Sequence, residues 1–338
     1  MSRLDSPSRE DRSVRYAPPG MYFWDFWLFR EDDTYYLYHL QAPRVGDEGT
    51  RHFNASVGHA TSTDLVEWSH EGTALVSGDG DAWDDAGTWT GCTVSDGDRY
   101  YLFYTGRRGR ETVPGGFPGH TQRIGVAVSD DLRNWEKHDA NPVLEHDGEW
   151  YADHTETFDG TTPWRDPEVV YDEDSGYWYA FVTARDRRKP AGERGCIARA
   201  RSTDLVDWEV LPPACSLGNY AKMEVPDLHY HDGRWYLLFS VKRDEYAEDN
   251  PRERETGVRY LVGDSLSGAF REPTDNLLMG DDVPGFTGRW VETPGGDTGF
   301  ATWTAGPEEG YDTDHPYTFA RPWRVEWTDD GPELGERL

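Results

Sequence analysis

One short pattern returns along the chain at nearly constant spacing. Ser62-Thr63-Asp64-Leu65-Val66-Glu67-Trp68 is followed by Ser129-Asp130-Asp131-Leu132-Arg133-Asn134-Trp135 and by Ser202-Thr203-Asp204-Leu205-Val206-Asp207-Trp208. A weaker copy is Gly263-Asp264-Ser265-Leu266, with Phe270 in place of Trp. The intervals Asp64 to Asp131, Asp131 to Asp204 and Asp204 to Ser265 are 67, 73 and 61 residues. A repeat of that length in 338 residues leaves room for about five units.

Each copy follows an aromatic run set off by an acidic turn. The runs are Thr34–His39, Arg99–Tyr104, Gly176–Val182 and Arg234–Ser240. Tyr, Phe and Trp are strand formers, and the turns before them suit hairpins. No comparable stretch keeps a helical period. Each unit therefore reads as a small antiparallel sheet: an inner strand, the aromatic strand, the Ser-x-Asp-Leu strand with its turn, and an outer strand after the Trp. A lone four-stranded sheet cannot bury both faces, whereas sheets packed radially can. The expected fold is all-β, a five-bladed β-propeller of four-stranded antiparallel sheets. The first inner strand is expected at Met21 to Arg30. The fifth blade, the least marked, is expected near residues 275–330, closed by Tyr317–Ala320 and Trp323–Trp327. Residues 1–19 are expected to form a flexible N-terminal segment, and 20–338 a single catalytic domain without a C-terminal β-sandwich.

Charge narrows the function. The chain has 34 basic and 64 acidic residues, a net charge of −30, and only four lysines: 137, 189, 222 and 242. Aromatic residues make up 14%, too many for a disordered acidic chain. A folded, acidic, lysine-poor surface suits molar salt, where charge repulsion is screened to roughly 3 Å. This reading places the protein in the cytoplasm of a halophile. No nucleic-acid partner is expected, because phosphate binding needs clustered cations. No membrane partner is expected either: Met1 to Arg15 lacks an apolar core, and no run approaches spanning length. Cys92, Cys196 and Cys215 are too few and too scattered for a disulfide framework or zinc site and read as buried thiols. No metal and no cofactor is expected, and oligomeric state is not legible.

Three acids precede the repeat anchors at similar distances. Asp25 lies 39 residues before Asp64, Asp166 lies 38 before Asp204, and Glu224 lies 41 before Ser265. In the second unit the same offset falls at Cys92 and Thr93, just after Trp89-Thr90-Gly91. All these positions are expected on innermost strands facing a common funnel, with the three acids on one rung. Like charges in a partly dry cavity are costly unless used. Paired carboxyl groups are the machinery of glycoside cleavage, one donating a proton and the other attacking or activating water. Burial and mutual repulsion would raise the acid's pKa. Glu224 suits the acid/base by reach, with Asp227 holding it or meeting substrate. Asp25 suits the nucleophile, with Trp24 and Trp27 as an apolar wall. Arg165 would keep Asp166 ionised, ready to bond ring hydroxyls.

Together, Trp164-Arg165-Asp166-Pro167, Glu224-Val225-Pro226-Asp227 and Gly58–Trp68 resemble glycoside hydrolase families 32 and 68: the invertases, fructanases and levansucrases. The resemblance spans roughly residues 20–270. It implies a five-bladed propeller, an Asp nucleophile at Asp25, a transition-state stabiliser at Asp166 and an acid/base at Glu224. Trp89-Thr90-Gly91-Cys92 is similar to the family Trp/Phe-Ser-Gly-Ser segment, and Gln41 to a sugar-contacting Gln. At the nucleophile, Trp24-Asp25-Phe26-Trp27 is nearer family 68 than the Asn-Asp-Pro-Asn-Gly of family 32. The implied activity is retaining hydrolysis of β-fructofuranosides such as sucrose or short fructans, or fructosyl transfer, on a small carbohydrate substrate. Two other readings fit the same acids. One is an inverting arabinofuranosidase or xylosidase of family 43 type; the other is a non-catalytic sugar-binding propeller. The Gly106–Gly119 loop, rich in Gly, Pro and Arg, is a candidate for the pocket rim, and His52 for a sugar contact.

Overall fold

A computed structural model describes residues 16–45, 48–109, 121–153, 163–307 and 310–338. The N-terminal fifteen residues and most of the Gly106–Gly119 loop lie outside the described residues. Five antiparallel sheets are arranged around one axis, and each is a continuous stretch of sequence. Blade one begins with the inner strand Met21–Glu31 and ends with Ser69–Leu75. Blade two runs from Gly87–Ser95 to Glu136–Lys137, and blade three from Arg165–Asp172 to Glu209–Cys215. Blade four runs from Glu224–His231 to Leu277–Met279, and blade five from Gly285–Glu292 to Gly331–Arg337. Inner strands touch in cyclic order, the fifth meeting the first. The five-bladed propeller legible in the repeat is the fold.

The fifth blade differs from expectation at both ends. Leu277–Met279 pairs with Gly257–Gly263 as the outer strand of blade four, and blade five reaches Arg337. The boundary after residue 19 also moves. Tyr16 is already buried, accepts a backbone hydrogen bond from Phe319 of blade five, and packs its ring on Phe23.

The repeated motif forms the same loop in three blades. Ser62 Oγ accepts from the backbone N–H of Asp64 and Leu65, while Asp64 Oδ1 accepts from Val66 and Glu67. Ser129 with Asp131, and Ser202 with Asp204, do the same. These Asx-type bonds satisfy backbone donors that a tight turn would otherwise strand. The leucine that follows takes left-handed backbone, at φ 65°, 60° and 67° for Leu65, Leu132 and Leu205. In return its side chain is almost fully buried, within the apolar clusters between blades at Leu65 and Leu205. The core lies in those interfaces, as apolar clusters between neighbouring sheets.

Two effects of comparable size meet at Leu132. Left-handed backbone costs a branched residue about 1–2 kcal/mol. Losing a buried leucine side chain costs about 3–5 kcal/mol. Burial therefore wins. Leu132→Gly is expected to lower unfolding stability by about 1–4 kcal/mol in urea titration; a gain in stability would show that strain dominates.

Candidate active site

Every inner strand carries a β-bulge at the same level. The register shifts between Trp24 and Phe26 in blade one, between Trp89 and Gly91 in blade two, and between Phe286 and Gly288 in blade five. In blades three and four two residues oppose one: Asp166-Pro167, between paired Arg165 and Glu168, face Val182, and Val225-Pro226, between paired Glu224 and Asp227, face Phe239, so each bulge again adds one residue. Asp166, Val225 and Thr287 have φ of 56°, 52° and 63°. Bulges re-aim side chains, and here they turn one residue per blade toward the axis.

This register corrects the rung arithmetic. The bulge residues are Asp25, Thr90, Asp166, Val225 and Thr287. Glu224 sits one position before the bulge, level with Arg165, and reaches the site with its longer side chain. In blade two the rung residue is Thr90; Cys92 is buried in the interface with blade three. Loop insertions shift the count, because the anchor lies two strands away from the rung.

A belt of hydroxyls links the blades at this level. Both oxygens of Asp25 are held by threonines from its neighbours, Thr90 of blade two at 3.2 Å and Thr287 of blade five at 2.5 Å. Thr105 of blade two accepts from the Asp166 N–H at 2.9 Å. Thr183 of blade three donates to Asp166 Oδ2 at 3.0 Å and accepts from the Val225 N–H at 3.1 Å. Between blades four and five, Asp227 accepts from the Trp290 N–H at 2.6 Å.

The three acids do converge. Arg165 bridges two of them, with Nη2 at 2.5 Å from Glu224 Oε1 and Nε at 3.5 Å from Asp166 Oδ2. Asp166 feels the charges of both Asp25 and Glu224. Asp25 and Glu224 are half-buried and open to the funnel, while Asp166 lies beneath them, 3% exposed.

Their protonation differs from the sequence reading in two places. Burial pushes the Asp166 carboxyl up to about 7, against the pull of Arg165 and with the repulsion of Asp25 and Glu224. Arg165 therefore does not hold Asp166 in the ordinary ionised range. At Glu224 burial also favours the neutral form, but Arg165, Lys222 and Lys242 together outweigh it, and the carboxyl lies well below the usual glutamate range. The expected raised acid is an ionised partner of Arg165 in the ligand-free site.

The other candidates scatter. Trp27 turns away from the funnel: its indole N–H donates to Thr93 and its ring stacks on Tyr38. Trp24 is buried against His52, with Arg51 over its face. Neither forms an open wall. Gln41 is buried within its own blade, donating to Thr73, and Gly58 leaves room for it, since a Cβ there would sit 2.4 Å from Gln41 Oε1. Trp89 is half-buried at the rim, its N–H on the His52 carbonyl and Arg107 stacked 4.1 Å from the ring centroid. His52 is held neutral, its pKa lowered to about 3 by burial and by nearby Arg51, Lys242 and Arg107. Asp227 neither holds Glu224 nor faces the funnel; Arg289 and the Trp290 N–H bind it below the trio.

Several site residues escaped the sequence reading. Thr105 and Thr183 stand four residues after Tyr101 and Tyr179 in equivalent aromatic strands, a regularity visible in the repeat. Lys222 and Lys242 are two of only four lysines, and both act on Glu224. Lysine scarcity was the available signal. Thr287 had none, because the fifth blade lacks the anchor motif.

The family model that matches the chain is the glycosyl hydrolases family 32 N-terminal domain, over residues 27–317. The match begins two residues after Asp25. A sucrose-6-phosphate hydrolase of Pediococcus pentosaceus is 28% identical over 76% of this chain and 47% of its own length. A raffinose invertase of Escherichia coli is 29% identical over 66% of this chain and 42% of its own. The chain spans about half the length of the curated relatives it matches. Among solved structures, inulosucrase from Halalkalicoccus jeotgali bound to kestose superposes with TM-score 0.77 at 22% identity, covering 98% of this chain and 93% of that one. At that identity the likeness concerns the fold.

Asp166 supplies a test with a definite sign. Its folded pKa of about 7 lies well above the 3.8 ordinary for an aspartate. The stability linked to its neutral form is complete below about pH 4 and is lost as pH rises to 7. Asp166→Asn removes that loss. The variant should match wild type in urea unfolding at pH 4 and exceed it increasingly up to pH 8, and a gap independent of pH would contradict the shift.

Proposed function

Since the chain belongs to glycosyl hydrolase family 32, matching its N-terminal domain model over 291 of 338 residues (27 to 317), we propose that it is a retaining glycosidase acting on β-fructofuranosides. Sucrose and short fructans are the substrate class, with fructosyl transfer as the variant outcome when a sugar replaces water. The observation that carries this reading is the meeting of Asp25, Asp166 and Glu224 on the axis, with Asp25 clamped by two threonine hydroxyls.

In this mechanism Asp25 attacks the anomeric carbon. The Thr90 and Thr287 hydroxyls hold its carboxylate in one orientation, which lowers the entropy cost of attack. Glu224 gives a proton to the leaving oxygen and later takes one from water. In the free site Glu224 is ionised, so its pair with Arg165 loosens when sugar fills the funnel. Asp166, the neighbour with the raised pKa, is the carboxyl able to hold a proton beforehand. Once Asp166 passes that proton to Glu224, Glu224 is the neutral acid that protonates the leaving oxygen, and ionised Asp166 stabilises positive charge developing on the ring. Trp89, half-buried and backed by the buried Arg107, forms a wall beside the sugar. Residues 16–338 act as one catalytic domain in this reading. The inverting family 43 reading and the sugar-binding reading gain no support from the family match.

The acidic, lysine-poor composition supports a molar-salt cytoplasm as the setting. Thermal midpoints should climb as KCl is raised from 0.1 to 3 M, because screening relieves repulsion among 64 acids. A midpoint indifferent to salt would remove this part of the reading.

The decisive assay is a panel of sucrose, inulin and levan oligomers and aryl arabinofuranosides in molar KCl, with NMR of the first-formed anomer. Fructose released with retention is expected. Glu224→Gln should lower kcat by about 10²–10⁴-fold on substrates with poor leaving groups, and Asp25→Asn should abolish turnover. An inverted first product, or turnover of arabinofuranosides alone, would overturn the assignment.

A further inference from the structure

One guanidinium touches all five blades. Arg289, on the inner strand of blade five, is 1% exposed. Its Nε donates to the Phe26 carbonyl of blade one at 2.9 Å, and Nη2 to the Gly91 carbonyl of blade two at 3.2 Å. Its Nη1 meets Glu168 of blade three at 3.0 Å, and the Pro226 carbonyl and Asp227 of blade four at 3.1 Å each.

Every one of these contacts lies within two residues of the catalytic level. Phe26 follows Asp25, and Gly91 follows Thr90. Glu168 lies two past Asp166, Pro226 lies two past Glu224, and Arg289 itself lies two past Thr287. Glu168 and Asp227 occupy matching positions after their bulges, so they form a second acidic tier below the first. Burial pushes both carboxyls up, helped at Glu168 by the charge of Asp227 and opposed at both by Arg289. The geometry points to Arg289 as a positioning residue: the axial pin that fixes the mutual placement of Asp25, Asp166 and Glu224 without touching substrate.

The chemistry of the side chain fits that task. A planar fork with five N–H donors can bond to several strands at once in fixed directions. An ammonium has three donors at a single point, and a methionine has none. Releasing the pin frees each bulge to shift independently, and a misplacement near 1 Å costs about 10²-fold in rate. An ordinary structural role predicts something else, a smaller folded fraction with normal turnover per folded molecule.

The inference rests on the fructosidase reading for its kinetic arm but not for its structural arm. Arg289→Met, Arg289→Lys and the core control Leu237→Ala are compared with wild type in molar KCl. The folded fraction is measured for each. Arg289→Met is expected to lower kcat about 10²-fold per folded molecule with KM within about threefold, Arg289→Lys to recover part of that loss, and Leu237→Ala to keep wild-type kcat. If Arg289→Met does not fold, the triple variant with Glu168→Gln and Asp227→Asn removes the unpaired buried charges and takes its place. Wild-type kcat per folded molecule in the Arg289 variants, or a change confined to KM, overturns the inference.

A crystal structure of the Met variant reads carboxyl positions without any substrate. Displacement of the trio by about 1 Å supports the pin, and an unmoved trio refutes it. If wild type cleaves no fructoside while the trio moves, the proposed activity has failed and the pin has not.

Discussion

Five carboxyl groups lie close to one axis, Asp166 and Asp227 buried and the other three half-buried, and the arrangement depends on their compensation. Asp25, Asp166 and Glu224 form the upper tier, and Glu168 and Asp227 the lower. At an effective dielectric near 20, two like charges 4 Å apart repel by about 4 kcal/mol. Cations and hydroxyls from other blades counter this. Arg165 bridges Asp166 and Glu224, Arg289 joins Glu168 to Asp227, and Lys222 and Lys242 act on Glu224. Three of these six pairs, Arg165–Glu224 and both contacts of Arg289, cross between blades, so those exist only when the blades are packed around the axis. Folding of the sheets and assembly of the site are therefore one event. The same physics separates the charge in space: the acid excess lies over the whole chain, while scarce lysine is used beside Glu224.

The repeat made the fold legible because it records a local solution used several times. The Ser-x-Asp loop satisfies its own backbone, and the leucine after it fills a blade interface, so both appear as sequence at a regular period. Blade five has no such loop, and its limits were misplaced by about ten residues for that reason. Its strands close the ring on Tyr16, Phe23 and Phe26 through aromatic contacts that leave no repeated motif.

The acids themselves were also legible, but their register was not. A bulge adds one residue to an inner strand, and sequence spacing cannot tell an extra residue in the strand from one in a loop. Hence Glu224 was set on the same rung as Asp166, although it pairs opposite Ser240 as Arg165 pairs opposite Thr183. The same one-position offset explains Asp227. Level with Glu168 rather than beside Glu224, it falls to the lower tier, where Arg289 meets it. Protonation is not legible in the sequence because it depends on cations from elsewhere in the chain. Lys242 enters from the end of a second strand, and Arg165 from the blade next to Glu224.

The strained backbone at this level can then be given a cause. Left-handed φ at Asp166, Val225 and Thr287 costs about 1–3 kcal/mol each. At each of them a hydrogen bond to the next blade depends on the bulged geometry. The Asp166 N–H reaches Thr105, the Val225 N–H reaches Thr183, and the Thr287 hydroxyl reaches Asp25. A regular strand would turn those donors into its own ladder, and the blades would meet through apolar side chains alone. The bulges exchange ladder hydrogen bonds for bonds that run around the axis. The carboxyl groups are thereby held from the side, leaving the faces of Asp25 and Glu224 open to the funnel. A flat inner strand would stabilise each blade more and position the acids less.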